Sequence, residues 1–522
     1  MGGPPVDKDV GIWGDRIVKV APPGSLTGRE VRDVSGLALA PGFINMLSWG
    51  QESLLVDGRG TSDVLQGVTL EVFGEGWSMG PLTPAMKAEI LKQQADLKFP
   101  VPWDTLGGSL RELTKKGVTM NVASFVGATT VRIHELGYEN RAPSAEELSR
   151  MQGLVDAAMR EGAMGLGSSL IYAPASYSKT DELVALCEVV SKHGGLYTTH
   201  MRSEGARLLE AVDEVLDIQR RTGVRAEIYH LKAAGESNWP KLAQVVEKIE
   251  KARAAGVPIT ANMYTYTAGA TGLDAAMPPW VQEGGLEAWI ARLRDPAQRE
   301  RVVRDMNDAA PAWENLLRAA GSPERVLLVG FKTPALKPLT GKTLAEVATL
   351  RGKSPEETAI DLVIEDGSRI ETVYFLMSEE NVKRQVALPW MSFGSDADAQ
   401  APEGPFLLSR PHPRAYGNFA RVLGKYVREE KALTLAEAIR KLSALPALNL
   451  RIRDRGLLRE GFFADIVVFD PAKIADHATF DAPQQLATGV TDVFVNGKAV
   501  VKAGAVTAAR PGVFVKGPGF RP

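Results

Sequence analysis

The sequence has one cysteine, six histidines and no long apolar run among its 522 residues. The single cysteine, Cys187, allows no internal disulfide, which is typical of a reducing compartment. Cys187 lies in a segment with helical periodicity, so we expect it in the core rather than as a nucleophile. No segment reaches the roughly 18 consecutive apolar residues of a membrane span. The 61 basic and 63 acidic residues are well mixed, so the sequence predicts neither a membrane nor a nucleic-acid partner.

The N-terminal residues also lack a basic and apolar signal region, which favours a cytoplasmic location. The chain nevertheless begins abruptly, because residues 2–5 are two glycines followed by two prolines and predict a turn. A turn needs an element before it. We therefore expect that a preceding strand, or an export signal, is missing from this version of the sequence.

The middle of the chain alternates apolar runs with amphipathic helical patterns, such as residues 144–161 and 242–255. This alternation is typical of parallel strands joined by helical crossovers. Eight such strands predict an α/β protein with a (β/α)8 TIM barrel. The predicted strands are residues 37–45, 68–74, 119–127, 164–168, 195–202, 225–232, 258–264 and 390–396.

Both ends of the chain have short β-like runs separated by glycine and proline turns. We therefore predict a small composite β domain built from residues 1–40 and 455–522. The barrel would occupy residues 41–454. Within it, residues 273–355 interrupt the alternation with mixed helical and polar sequence, which predicts a helical insertion before the last barrel strand.

Ligand-type side chains follow several predicted strands. His200 and His230 end the fifth and sixth strands, Asp396 ends the last, and Glu75 follows the second. Active sites of TIM barrels lie at the carboxyl ends of the strands, and imidazole and carboxylate groups bind divalent metals. The alternative is that the two histidines only hydrogen-bond loops.

The chain resembles the amidohydrolase superfamily, and within it the N-acyl-D-amino-acid deacylases (D-aminoacylases). The resemblance covers nearly the whole chain. The stretches that carry it are PGFI of strand one, GVTLEVFGEG, GAMGLGSSLIYAPASYSKTDELVAL, HGGLYTTHMRSEG, IYHLKAAGESNW, SFGSDADA, HPRAYGNFARVLG and REGFFADIVVFDP.

Three ligand positions of that family are lost together. The family's His-x-His pair at strand one is replaced by Leu47 and Trp49, its Gly-His after strand three ends in Ala128, and its metal-binding cysteine after strand two is absent. Glu75 and Gly76 align equally well with that cysteine. The loss implies that one half of a two-metal site has been given up.

The resemblance then implies one divalent metal ion per chain, with His200, His230 and Glu75 as its ligands. Zinc is the expected ion, with manganese and iron as alternatives. Glu75 has a second interpretation as a turn carboxylate that caps the following helix.

The resemblance also implies roles for the other polar residues. Asp396 would act as general base and general acid towards a metal-activated water, and is preferred to Asp398 because Asp398 lies further out. Arg202 is expected to pair with Glu204 or to contact the rim. The substrate-binding residues implied are Lys232, Arg414, Tyr264, Tyr266, Trp49 and Trp77.

These expectations lead to a metal-dependent hydrolase of a C–N amide bond that deacylates an N-acyl-D-amino acid or a related small amide. The first alternative is a cyclic-amide hydrolase, or a non-hydrolytic lyase or isomerase, on the same scaffold. The second is a metal-free, non-catalytic protein that binds a small ligand. The expected partner is a small-molecule amide, and a homo-oligomer is left open.

Overall fold

The computed structural model describes residues 5–521. The turn predicted at residues 2–5 lies almost entirely outside this range. The strands are β1 Asp9–Trp13, β2 Arg16–Ala21, β3 Ala38–Pro41, β4 Phe43–Asn45, β5 Val68–Phe73, β6 Asn121–Ser124, β7 Val126–Gly127, β8 Gly165–Ser169, β9 Leu196–His200, β10 Arg225–Ile228, β11 Ile259–Met263, β12 Gly269–Gly272, β13 Val326–Gly330, β14 Glu371–Tyr374, β15 Met391–Phe393, β16 Ile466–Phe469, β17 Val490–Val495, β18 Lys498–Lys502 and β19 Ala505–Val506.

The α-helices lie between these strands and after β15. They are α1 Gln51–Val56, α2 Thr61–Val64, α3 Pro84–Gln93, α4 Leu106–Lys116, α5 Ala128–Leu136, α6 Ala145–Glu161, α7 Thr180–Lys192, α8 Leu208–Thr222, α9 Lys241–Ala254, α10 Gly285–Arg294, α11 Pro296–Met306, α12 Leu316–Ala320, α13 Leu344–Arg351, α14 Pro355–Asp366, α15 Glu379–Ala387, α16 Arg414–Arg421, α17 Leu435–Ile439 and α18 Leu445–Asn449.

The predicted barrel is confirmed. Strands β4, β5 and β6 form one parallel sheet, and β7, β8, β9, β10, β11 and β15 form another in that spatial order. The chain continues from β6 into β7 as one stave. The barrel closes between its last and first staves, where Met46 N donates to Phe393 O at 3.2 Å and Asp396 N donates to Leu47 O at 2.8 Å.

The barrel interior is filled by side chains that alternate along the strands with outward-facing ones. Each fully buried large apolar side chain contributes about 1.5–3 kcal/mol to folding. The apolar residues of this interior cluster are Ile44, Met46, Leu47, Leu70, Val72, Ala123, Phe125, Met164, Leu196, Tyr229, Ala447, Leu450 and Val515. The polar cluster described below therefore lies against a dry, packed core.

The two ends of the chain meet in one sheet. Strand β3 pairs antiparallel with β16, which starts a five-stranded sheet with β17, β18 and β19. Strands β1 and β2 form a separate hairpin, joined to the C-terminal part by a bridge between Arg16 and Phe463. The residue boundaries of the β domain and the barrel stay a prediction.

The region between β11 and β15 contains helices α10 to α15, in agreement with a helical insertion. It also contains an antiparallel sheet in the order β12-β14-β13, which the sequence analysis did not anticipate. These strands have only four or five residues each, so they are too short to give a clear alternating pattern.

Two local predictions are confirmed. Helix α6 begins after Ser144, whose hydroxyl accepts from Glu147 N while the Glu147 carboxylate accepts from Ser144 N, a capping box. Cys187 is fully buried in α7. Among residues 5–521, none of the helices combines the length and the apolar character needed to cross a bilayer.

Candidate metal centre and active site

Three strand ends bring Glu75, His200 and His230 together at the carboxyl end of the barrel. His200 is the last residue of β9, and Glu75 and His230 lie two residues beyond β5 and β10. The structure brings Glu75, and not Gly76, against the two histidines. Gly76 has a φ of 73°, and a Cβ at this position would lie 2.0 Å from Ser169 Oγ. Glycine is therefore required there, and Glu75 supplies the side chain.

The three side chains converge on one point. Glu75 Oε1 lies 2.7 Å from His230 Nε2 and 3.2 Å from His200 Nδ1, and the two imidazole nitrogens are 3.0 Å apart. All three ligand atoms lie within 4.8 Å of one another, and each residue is at least 95% buried. Two imidazoles and a carboxylate are a donor set that suits zinc and related divalent ions.

The electrostatics of this cluster favour a positive charge. Burial alone would raise the pKa of Glu75, but His230 and His200 outweigh it and hold that pKa well below its ordinary range. Burial and the neighbouring Lys232 lower the pKa of His230, but Glu75 and Glu204 raise it to about 9. The negative charges of Glu75 and Glu204 that raise the pKa of His230 would also stabilise a metal cation at this point.

Glu204 and Lys232 lie behind the two histidines. Glu204 Oε1 is 3.0 Å from His230 Nδ1 and accepts from Lys232 Nζ at 2.7 Å, while Glu204 Oε2 is 3.7 Å from His200 Nε2. Lys232 Nζ also lies 2.8 Å from His230 Nδ1. A carboxylate behind a metal-binding imidazole fixes the ring and its tautomer. This role of Glu204 was not predicted from the sequence, because it depends on histidines that come from two different strands.

Asp396 lies beside the cluster and is held from two sides. Trp49 Nε1 donates to Asp396 Oδ1 at 3.1 Å and to Glu75 Oε2 at 3.0 Å. Arg414 Nη1 lies 2.7 Å from Asp396 Oδ2. Burial raises the pKa of Asp396 above its ordinary value, against the opposing charge of Arg414.

The backbone at the site is strained. His230 and Asp396 have φ values of 31° and 51°, a region that residues with a side chain rarely adopt. Such strain persists only where the surrounding structure imposes it, and it clusters at functional sites. The backbone conformations of His230 and Asp396, the candidates for metal binding and proton transfer, are thus imposed by the surrounding fold.

Arg414 has one donor without a partner. It is 97% buried, and its guanidinium lies over the Tyr264 ring at 4.4 Å. Its Nη1 faces Asp396 Oδ2, its Nη2 donates to Ala270 O at 3.4 Å, and its Nε makes no hydrogen bond. Buried donors without an acceptor are costly. A planar guanidinium suits a bidentate carboxylate, so Arg414 is the candidate for binding a substrate carboxylate.

Some predicted residues lie away from the cluster. The Tyr266 hydroxyl donates to Asp476 at 3.2 Å, and Trp77 is half-buried against the main core. Asp398 accepts instead from Gln400 Nε2 at 3.3 Å. The pairing expected between Arg202 and Glu204 is wrong. Arg202 pairs with Glu214 of α8 at 3.0 Å, because Glu204 turns inward to the histidines.

The sequence profile of the amidohydrolase family matches residues 71–501. The chain belongs to the amidohydrolase family. This amidohydrolase is similar to the D-aminoacylase of Alcaligenes xylosoxydans xylosoxydans, with 32% identity over 508 residues, covering 97% of this chain and 92% of that protein.

Two solved structures are similar to this amidohydrolase over 99% of its length. One is the N-acyl-D-glutamate deacylase from Bordetella bronchiseptica, complexed with zinc and a phosphonate inhibitor that mimics the tetrahedral intermediate (TM-score 0.81, 29% identity, 96% of that chain). The other is a D-aminoacylase studied for its binuclear metal centre, described as one-metal activation and second-metal attenuation (TM-score 0.81, 31% identity, 97% of that chain).

Proposed function

We propose that this amidohydrolase removes the acyl group from N-acyl-D-amino acids with the help of one divalent metal ion. Zinc is the first candidate for this ion. The observation that carries the proposal is the convergence of Glu75, His200 and His230 beside Asp396 and a buried arginine with one free donor. The similarity to D-aminoacylase supports the substrate class.

Glu75 Oε1, His200 Nδ1 and His230 Nε2 would hold the ion. When bound, it polarises an amide carbonyl and lowers the pKa of water. Glu204 holds the His230 imidazole from behind at 3.0 Å, so that its Nε2 faces Glu75, and places a negative charge 3.7 Å from His200 Nε2. Lys232 is fixed by the same carboxylate at 2.7 Å.

Arg414 binds the carboxylate of the substrate through its guanidinium, whose Nε makes no other hydrogen bond. Its position over the Tyr264 ring fixes the plane of the guanidinium. Because Arg414 also contacts Asp396 Oδ2 at 2.7 Å, a carboxylate bound there lies close to Asp396. This contact supports a position of the amide between Arg414 and the histidine cluster.

Asp396 takes a proton from the attacking water and delivers it to the leaving nitrogen. Burial raises its pKa, which makes it a stronger base once ionised. The Trp49 N–H, on Asp396 Oδ1, keeps the carboxylate facing the cluster. The acyl group leaves as a carboxylic acid and the D-amino acid as a free amine.

The test is amine release by the purified protein, loaded with zinc, from N-acyl-D-amino acids, their L enantiomers and cyclic amides. We expect release from the D series, and loss of release and of bound zinc in His230→Ala. The matched control is His193→Ala, because His193 pairs with Asp156 at the end of α7, away from the cluster. Release of amine from none of the D substrates would overturn the proposal.

A further inference from the structure

Trp49 makes contacts that a packing residue does not need. Its indole Nε1 donates to Glu75 Oε2 at 3.0 Å and to Asp396 Oδ1 at 3.1 Å. Its backbone N donates to Ala397 O at 3.0 Å. One N–H group thus joins the carboxylate of the histidine cluster to the carboxylate proposed for proton transfer.

These contacts make the two oxygens of Glu75 different. Oε1 faces His200 and His230, whereas Oε2 is occupied by the indole. Glu75 can therefore offer only one oxygen to an ion at the histidine cluster, and the Trp49 hydrogen bond sets which one. A carboxylate left free to rotate would offer either oxygen or both.

The indole also occupies the position between Glu75 and Asp396 that a second cation would need. An ion that bridged Glu75 and Asp396 would need the two oxygens that Trp49 Nε1 contacts. An indole N–H is a donor only and has no lone pair for a metal. The neighbouring Leu47 is fully buried and apolar, so strand one provides no ligand for a second ion.

We propose that Trp49 is a positioning residue that replaces a second metal ion: its N–H bridges Glu75 and Asp396, fixes Glu75 as a one-oxygen ligand and excludes a further cation. This inference rests on the proposed function for the ion at Glu75, His200 and His230. It gives the enzyme a property of its own. Excess zinc does not attenuate its activity, in contrast to the second-metal attenuation described for the related D-aminoacylase.

The test compares the wild type with Trp49→Phe, which keeps an aromatic ring and removes the N–H, and with Trp49→His, which adds a metal ligand. Trp13→Phe, on the exposed β1–β2 hairpin, is the matched control. Bound zinc per chain is counted at excess zinc against His230→Ala, and the zinc Kd is measured by chelator competition.

We expect one zinc per chain and no attenuation at excess zinc in the wild type and in Trp13→Phe. In Trp49→Phe the zinc Kd rises roughly 10- to 100-fold, the usual effect of losing a group that orients a ligand. In Trp49→His a second zinc binds and activity falls at excess zinc. Two site-bound ions in the wild type, or an unchanged Kd in Trp49→Phe, would overturn the inference.

The measurements on the wild type need no substitution, so they decide the exclusion of a second ion even when a Trp49 variant fails to fold. They also separate the two proposals. A wild type that binds one zinc but releases no amine refutes the proposed function and leaves the role of Trp49 standing. A wild type that deacylates with two ions bound refutes the role of Trp49 and the one-ion site, and leaves the deacylase activity standing.

Discussion

Glu204 accepts a hydrogen bond from Lys232 at 2.7 Å, and the same oxygen lies 3.0 Å from His230 Nδ1. A carboxylate in this position behind a metal-binding imidazole typically contributes 10- to 100-fold to metal affinity. We therefore expect Glu204→Gln to raise the zinc Kd by that factor, measured by chelator competition, and to lower deacylation at limiting zinc. Glu210→Gln, an exposed position at the start of α8, is the control. Equal zinc affinity in both variants contradicts the role of Glu204.

Removal of the metal should destabilise the protein as well as inactivate it. Binding of a ligand to the folded state alone raises the free energy of unfolding by about 2.7 kcal/mol when the free ligand is at 100 times its Kd. When zinc is added back at that concentration to chelator-treated wild type, we expect the free energy of unfolding to rise by this amount. Urea unfolding with and without zinc measures the change. His200→Ala should show no comparable gain. A similar gain in His200→Ala would place the bound zinc elsewhere.

Arg414→Lys tests the substrate carboxylate. Lysine keeps the charge beside Asp396 but loses the planar pair of donors. Hydrogen bonds to charged groups contribute about 1.5–3 kcal/mol, so kcat/KM for an N-acyl-D-amino acid should fall roughly 10- to 100-fold. An N-acyl amine without the carboxylate should show little change. Arg421→Lys, at the other end of α16, is the control, because Arg421 pairs with Asp476. An equal loss on both substrates would contradict the assignment.

Lys441 gives a prediction on pH and stability. It is fully buried, it donates to Val386 O, and burial lowers its pKa to about 7. Above that pH the folded state holds Lys441 neutral, whereas the unfolded chain keeps its proton up to the ordinary lysine pKa of about 10.4. The unfolded state then binds more protons, so stability rises with pH across this window.

The variant Lys441→Met removes this dependence. The difference in free energy of unfolding, wild type minus Lys441→Met, should increase as the pH rises above 7. The increase is at most about 1.4 kcal/mol per pH unit. Urea unfolding of both proteins at several pH values measures the difference. A difference that stays constant with pH would show that Lys441 is charged in the folded protein.

The strands of the barrel could be predicted because each is a buried apolar run between turn residues. All but β8 are shorter than predicted, since the polar residues at their ends leave the sheet. The stave predicted at 225–232, for example, ends at Ile228, and His230 follows with a positive φ. The local sequence pattern therefore predicted this strand and the candidate ligand His230. It did not predict the turn that orients the His230 side chain.

The contacts of long side chains could not be predicted in the same way. Arg202 pairs with a residue twelve positions away, on α8, and Glu204 with residues of two strands. Trp49 was expected to bind substrate, and no sequence pattern predicted that its indole N–H would contact Glu75 and Asp396. These contacts depend on how the strands and helices pack in three dimensions. The spacing of residues along a single sequence does not show which side chains will meet.

The seam of the barrel has a consequence for folding. Asp396 N donates to Leu47 O, and Asn45 Oδ1 accepts from Ser395 N across a sequence separation of 350 residues. His200 ends β9 and His230 follows the neighbouring strand β10, whereas Asp396 meets Trp49 only after the chain segments that follow β15 and β4 have come together. Contacts between such distant segments form slowly. A nascent chain can therefore bring the two histidines together long before it can cleave an amide. Activity would appear only when the barrel closes between its first and last strands.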